Sequence, residues 1–131
     1  MSSSTPPTRI LFVDDDEQIL RGIARMLRTD HARWQMTFIC GGRAAVDLLR
    51  EHTFDIVLTD LHMPEIGGIA VLKATRETSA TTIRIVLTGS DVEPSTLDAD
   101  AVLFKPMMKH ELRAVLERFA ARATGDSHPP T

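Results

Sequence analysis

The sequence predicts an α/β fold, a doubly wound five-stranded parallel sheet with helices on both faces. Three observations lead there. Five short apolar runs alternate with stretches of helical period. The runs are apolar at successive positions, so each strand is buried on both sides, as in a parallel sheet between helix layers. Acids, hydroxyls and a lysine stand immediately after the runs, at the strand ends where doubly wound sheets bind ligands.

The first strand spans residues 9–13, Arg-Ile-Leu-Phe-Val, and stops at Asp14-Asp15-Asp16. Ile19, Ile23 and Leu27 then recur at spacing four beside Leu20 and Ala24, while Arg21, Arg25 and Arg28 lie elsewhere on the wheel, which makes an amphipathic helix. A second strand runs over 36–40, followed by a Gly41-Gly42 turn and a helix over 44–50. The third strand covers 55–59 and its helix 67–76, and the fourth strand covers 83–88. The fifth strand is 101–104. Leu112, Val115, Leu116 and Phe119 share one face of a closing helix over 111–122. Between strands four and five the segment 91–97 contains Pro94 and few apolar residues, so a fourth helix there is expected to be short or irregular.

Composition narrows the possibilities. A chain of 131 residues, 43% hydrophobic and 25% charged, suits one globular domain. Its longest apolar runs are far too short to span a bilayer, and the Ser-Ser-Ser-Thr-Pro-Pro-Thr start lacks the apolar core of a signal peptide. A cytoplasmic protein without membrane contact is expected. The domain is placed at 9–122, with flexible tails at 1–8 and 123–131, the second a tail or the start of a linker. A net charge of −3 without a clustered basic surface argues against direct nucleic-acid binding. The single cysteine, Cys40, lies in an apolar run and is expected to act as a small buried hydrophobe without a redox role. None of the five histidines has ligand spacing.

The strand ends carry the chemistry. After the first strand stand Asp14, Asp15 and Asp16, after the third Asp60, after the fourth Thr88-Gly89-Ser90, and after the fifth Lys105-Pro106. Crowded carboxylates repel one another, and a hard divalent cation with oxygen ligands relieves them, so Mg²⁺ is the expected cofactor. A metal-held carboxylate beside a lysine and a hydroxyl can attack a phosphoryl group, giving an aspartyl phosphate. Taken singly, each feature has a plainer explanation: helix caps, turn residues or a strand terminator. Asp16 is assigned to capping. Four independent strand ends supplying complementary chemistry by chance is the harder account.

These residues resemble the receiver domains of two-component response regulators, which have a CheY-like, flavodoxin-like fold. The resemblance covers nearly the whole chain through Val13-Asp14-Asp15, Asp60-Leu61-His62-Met63-Pro64 up to Gly68, Leu87-Thr88-Gly89 and Phe104-Lys105-Pro106. It implies Asp60 as phosphoacceptor, with Asp15 a direct Mg²⁺ ligand and Asp14 a ligand largely through water. The His62 backbone carbonyl would complete the protein ligands, with Thr88 and Lys105 reading the phosphate. The Lys105–Pro106 bond is expected to be cis. The phosphodonor would be a sensor histidine kinase or a histidine phosphotransfer protein, and the target an unknown downstream protein or output domain, with homodimerisation open. The only chemistry expected is the domain's own Mg²⁺-dependent phosphorylation and dephosphorylation, so it is not read as an enzyme. The chain could act alone, relay phosphate, or form the front of a longer regulator.

Two features depart from that pattern. Val102 stands three residues before Lys105, where an aromatic residue is usual, and only seventeen positions separate Thr88 from Lys105, about one helical turn short. His62 and Ser90 hold positions that tune phosphate lifetime in the family. Two other functions compete with the leading one. A pseudo-receiver would be an interaction module that works without phosphorylation. A haloacid-dehalogenase-type phosphohydrolase would use Asp14 and Asp16, but has Gln18 where that family prefers Thr or Val and has no cap segment.

Overall fold

The computed structural model describes residues 6–123. Five parallel strands form one sheet: β1 (Thr8–Asp14), β2 (Trp34–Cys40), β3 (Ile56–Thr59), β4 (Ile83–Thr88) and β5 (Ala101–Phe104), in the order β2-β1-β3-β4-β5. The helices are α1 (Glu17–Met26), α2 (Gly42–Glu51), α3 (Gly68–Thr78) and α4 (Lys109–Ala123). The predicted architecture is the one observed, with element ends shifted by a few residues. β2 begins at Trp34, α2 at Gly42 and α4 at Lys109. Most of the expected tails 1–8 and 123–131 lies outside the described residues. Thr8 already belongs to β1 and is buried, and Ala123 closes α4.

The expected two-sided burial holds for the three central strands, whereas the edge strands β2 and β5 are only partly buried because each lacks a neighbour on one side. Ile10, Leu11, Phe12 and Val13 are at most 1% exposed, and every residue of β3 and β4 is buried. Alternate residues then sort to opposite layers, as the pleat requires. Ile10, Phe12, Ile56, Leu58, Ile85 and Leu87 meet Leu20, Ile23 and Leu27 of the α1 segment and Leu112, Leu116 and Phe119 of α4. Leu11, Val13 and Val57 meet Ala45 and Leu49 of α2 and Val71 of α3. At about 25 cal/mol per Å² of apolar surface removed from water, these two layers are the main stabilising term.

Local chemistry sets the ends. Asp16 caps α1 by accepting the Gln18 amide at 2.8 Å, the role the sequence assigned to it. Between α1 and β2 a 3₁₀ turn, Arg28–Asp30, has no apolar periodicity to announce it. The connection from β4 to β5 contains a single 3₁₀ turn, Pro94–Thr96, where the fourth helix of the pattern would stand. Val92, Leu97, Ala99 and Val102 cover Leu61, Leu72 and Val86 there. The buried Arg84 of β4 anchors this connection: it donates to Asp98 Oδ2 at 2.7 Å and to the Asp98 carbonyl at 3.0 Å, and Arg76 of α3 reaches the same carboxylate.

The burial expected of Cys40 fails too. Cys40 is exposed. It is the last residue of an edge strand, where neighbours run out, and its thiol donates to the Asp15 carbonyl at 3.4 Å. Burial of part of the group and the acids Glu17, Asp15, Asp14 and Asp16 push its pKa up, away from a reactive thiolate.

Candidate functional site

β1, β3, β4 and β5 lie side by side in the sheet, so their carboxyl ends bring Asp14, Asp60, Thr88 and Lys105 to one edge of the domain. The register shows how. Val13 pairs with Thr59, so the next residue of each strand, Asp14 and Asp60, follows the same rung, and the Asp60 amide donates to the Val13 carbonyl at 2.9 Å. The Lys105 amide donates to the Thr88 carbonyl at 2.9 Å, which ties the fifth strand end to the fourth.

Asp14, Asp15 and Asp60 each offer a carboxylate oxygen, and these oxygens lie within 4.8 Å of one another. Asp14 and Asp60 are buried and Asp15 is exposed. Lys105 extends its ammonium to Asp14 Oδ2 at 3.1 Å and to Asp60 Oδ2 at 3.5 Å. Burial pushes the Asp14 pKa above the usual carboxylate range, and the charge on Asp60 adds to the rise. The Asp16 amide and Lys105 only partly oppose it. For Lys105, burial alone would lower the pKa, but its hydrogen bond to Asp14 and the charges of Asp14 and Asp60 outweigh that and raise it. The lysine is therefore held charged.

Three carboxylates against one ammonium leave an excess of negative charge in a half-buried cleft. The donors are all oxygen, and two of the three are withdrawn from water. That set fits a hard divalent cation of the Mg²⁺ class and offers a thiophilic metal nothing. Asp16, with its side chain turned to the helix cap, lies outside the set. His62 follows two residues after Asp60 with an exposed side chain.

Thr88 is fully buried, and its hydroxyl oxygen accepts the Ser90 amide at 3.1 Å, which leaves the hydroxyl proton to donate elsewhere. The Lys105–Pro106 bond is cis, as the resemblance implied. Val102 packs on the α3 side of the sheet with Leu72 and Val86, and Phe104, on the same strand face, is 45% exposed. No aromatic ring occupies the Val102 position.

The β3–α3 loop was only partly legible. Gly68 abuts the Asp60 carbonyl, a Cβ there falling 2.8 Å from the Leu61 Cα, and its amide donates to the Leu61 carbonyl at 2.8 Å. Glu65 has φ +63, the left-handed region that favours glycine. Nothing in a run reading Met-Pro-Glu-Ile-Gly announces that strain. Gly42, read as part of a turn, proves to touch the same loop at Ile66.

Comparisons with known proteins agree with this geometry. The family profile of the response regulator receiver domain matches residues 10–117. A cell cycle response regulator, CtrA, of Brucella ovis is 30% identical over 122 residues, which cover 89% of this chain and 52% of that protein. The chain thus spans about half the length of the curated relatives it matches. The response regulator TrrA of Thermotoga maritima, solved in complex with Mg²⁺ and BeF, superimposes with TM-score 0.76 at 25% identity, covering 86% of this chain and 98% of that one. A CheY-like receiver domain protein of Methanospirillum hungatei has the same fold, with TM-score 0.83 at 20% identity over 93% of this chain and all of that one. The parallel five-stranded sheet, the acids at its strand ends and the profile match over most of the chain lead to one conclusion: the chain belongs to the response regulator receiver domains of two-component signalling.

Proposed function

We propose that Asp60 accepts a phosphoryl group from a sensor histidine kinase or a histidine phosphotransfer protein in the cytoplasm, and that the new charge switches binding of a downstream protein or output domain. Mg²⁺ would be held by Asp14, Asp15, Asp60 and the His62 backbone carbonyl. The observation that carries this reading is the position of Lys105, whose one ammonium reaches both Asp14 and Asp60 across the ends of three strands. The likeness to TrrA, a relative with Mg²⁺ and a phosphoryl mimic bound, supports the same assignment.

In the proposed reaction an Asp60 carboxylate oxygen attacks phosphorus in line. The P–N bond to the donor imidazole breaks, its electron pair leaves with the ring, and the ring takes a proton from solvent. Bound Mg²⁺ supplies charge neutralisation for the phosphoryl oxygens and for the crowded carboxylates. Lys105, held charged by Asp14, donates to a phosphoryl oxygen, and the Thr88 hydroxyl donates to another. Return to the resting state is attack of water on phosphorus with release of phosphate from Asp60. A phosphoryl group adds about −1.5 to −2 charge, and coupling of about 1–3 kcal/mol changes partner affinity 5–150-fold.

Intact-mass spectrometry after incubation with acetyl phosphate tests this, on wild type and Asp60→Asn, each with Mg²⁺ and with chelator. The expected result is one phosphoryl gain that needs both Asp60 and Mg²⁺. Failure to label, under conditions that label another receiver, would favour an interaction module that works without phosphorylation. Steady ester turnover with no phosphoprotein at Asp60 would favour a phosphohydrolase.

A further inference from the structure

The loop from Asp60 to Gly68 is held from two sides by glycines at helix starts. On one side Gly68 of α3 packs on the Asp60 carbonyl. On the other, Gly42, the first residue of α2, lies so close to Ile66 that a Cβ would overlap the Ile66 carbonyl oxygen and fall 2.9 Å from its carbonyl carbon and 3.0 Å from its Cβ. Real Cβ atoms do not approach backbone so closely, and a carbonyl cannot swing aside as a side-chain tip can. Between the two contacts the backbone is strained, with Glu65 at φ +63. Such strain persists only where the surroundings over-determine it. Met63 of the loop also packs against the apolar cluster that holds Ala45 and Leu49 of α2, while the exposed Arg43–Glu65 pair at 4.0 Å is too loose and too wet to hold a conformation.

We infer that Gly42 is a positioning residue for the metal and phosphoacceptor site: its missing side chain lets α2 press the Ile66 carbonyl and so fixes the path of residues 60–66. This rests on the reading of Asp60 and the His62 carbonyl given above. His62 is four residues before Ile66, and the loop between them is short and strained, so a displacement at Ile66 is carried back to the proposed ligands. Gly41 supplies a control for movement of the loop alone, since its amide donates to the Asp14 carbonyl at 2.9 Å. Its φ of +96 also demands glycine, but a side chain there meets nothing within 4 Å. Alanine at either position strains the protein, and only alanine at Gly42 pushes on the loop.

The experiment compares Gly42→Ala with Gly41→Ala in two measurements: amide chemical shifts of residues 60–66 in metal-free protein, and the Mg²⁺ dissociation constant by titration. Gly42→Ala is expected to move those amides and to weaken Mg²⁺ binding about 10-fold, the scale of supporting residues around metal sites, and Gly41→Ala to leave the amides of residues 60–66 in place. Equal movement of the residue 60–66 amides in the two variants, or wild-type Mg²⁺ affinity in Gly42→Ala, would overturn the inference. Should Gly42→Ala not fold, the double variant Gly42→Ala/Ile66→Gly gives the carbonyl room to rotate. It is expected to fold and bind Mg²⁺ weakly, and wild-type affinity in it would also overturn the inference. A wild type that binds no Mg²⁺ refutes the proposed function instead, and the metal-free shifts then decide alone whether Gly42 positions the loop.

Discussion

Asp14 at the end of β1 and Asp30 in the turn after α1 are both nearly inaccessible, 2% and 6% exposed, yet their surroundings treat them oppositely. Burial raises the pKa of Asp14, and one lysine shared with Asp60 does not reverse it. Burial also acts to raise Asp30, but hydrogen bonds from Arg113 and Arg33 overcome it and hold its carboxyl below the usual range. Arg33 reaches Asp30 Oδ1 through Nε at 3.1 Å and Nη2 at 2.8 Å, and Arg113 reaches Oδ2 at 3.0 and 2.9 Å. Glu117 takes the spare charge of Arg33 at 2.8 Å. Two arginines face two carboxylates, and this network joins the turn to α4. At the strand ends three carboxylates face one ammonium. The fold balances the first charge set by itself and leaves an excess of negative charge in the second, which is the contrast that the proposed Mg²⁺ site rests on.

Removing the ammonium that reaches Asp14 and Asp60 should produce the largest effect. Lys105→Met is expected to slow labelling by acetyl phosphate at saturating Mg²⁺ by about 10²-fold or more, the scale of losing one oriented donor to a phosphoryl or oxyanion group. A time course by intact mass measures it. Labelling within a factor of two of wild type would show that the ammonium serves only to offset Asp14 and Asp60 in the resting protein.

Asp30→Ala probes the balanced side. It takes a partner from Arg33, which keeps Glu117, and from Arg113, which keeps the Met26 carbonyl, and their side chains are 45% and 24% exposed, so water recovers part of the loss. A stability decrease of about 2 kcal/mol is expected in urea unfolding, with the labelling rate of the surviving native protein unchanged. A drop in labelling would mean that the Asp30 network and the proposed phosphoacceptor site are coupled through α4.

This contrast explains what the sequence could and could not say. Apolar runs announce strands, and the topology of a parallel sheet puts strand-end residues together, so Asp14, Asp15, Asp60, Thr88 and Lys105 could be named in advance. Lys105 and Asp14 are 91 positions apart, and their meeting follows from strand order alone. Asp30 offered no such rule. It lies in a non-periodic Arg-Thr-Asp-His stretch, and its partner Arg113 is 83 positions away on a helix face that periodicity reads as solvent. Gly42 was visible as a turn glycine, but its contact with Ile66 is a property of how two connections pack, which no local pattern encodes. The exposure of Cys40 was missed because apolar flanks speak for burial only where a strand has neighbours on both sides. The replacement of the fourth helix was readable, since Pro94 and the short spacing from Thr88 to Lys105 exclude a helix without reference to packing.

Neutralising the buried acid of the unbalanced site should change stability in the opposite direction. Asp14→Asn keeps the shape and removes a charge that burial disfavours, so the metal-free protein is expected to gain about 1 kcal/mol in urea unfolding, an ordinary single-site magnitude. Mg²⁺ should then stabilise it far less than it stabilises wild type, because a native-state ligand acts through RT ln(1 + [L]/Kd) and Kd has risen. A metal-free variant less stable than wild type would mean that the Lys105–Asp14 contact outweighs the cost of burying the charge.

The smallest effect, and the one that separates the two carboxylates within a single protein, is the dependence of stability on pH in chelator. A carboxyl whose folded pKa is raised binds more protons in the native than in the unfolded state, so ∂ΔG/∂pH is negative across its window. Asp14 should therefore make metal-free wild type lose stability, relative to Asp14→Asn, as pH climbs from about 4, where an unfolded aspartate titrates, through its raised native value. Asp30 has the reverse sign. Its folded pKa is depressed, so its contribution is complete above the unfolded value of about 4 and is lost as pH falls through the native one. Wild type minus Asp30→Asn should thus shrink toward acid, and wild type minus Asp14→Asn should become more negative toward neutral pH. Saturating Mg²⁺ should flatten the second difference and leave the first untouched, because the cation is proposed to bind at Asp14 and the Asp30 set has its own arginines. Two difference curves of the same sign would mean that Lys105 compensates Asp14 as fully as the arginines compensate Asp30.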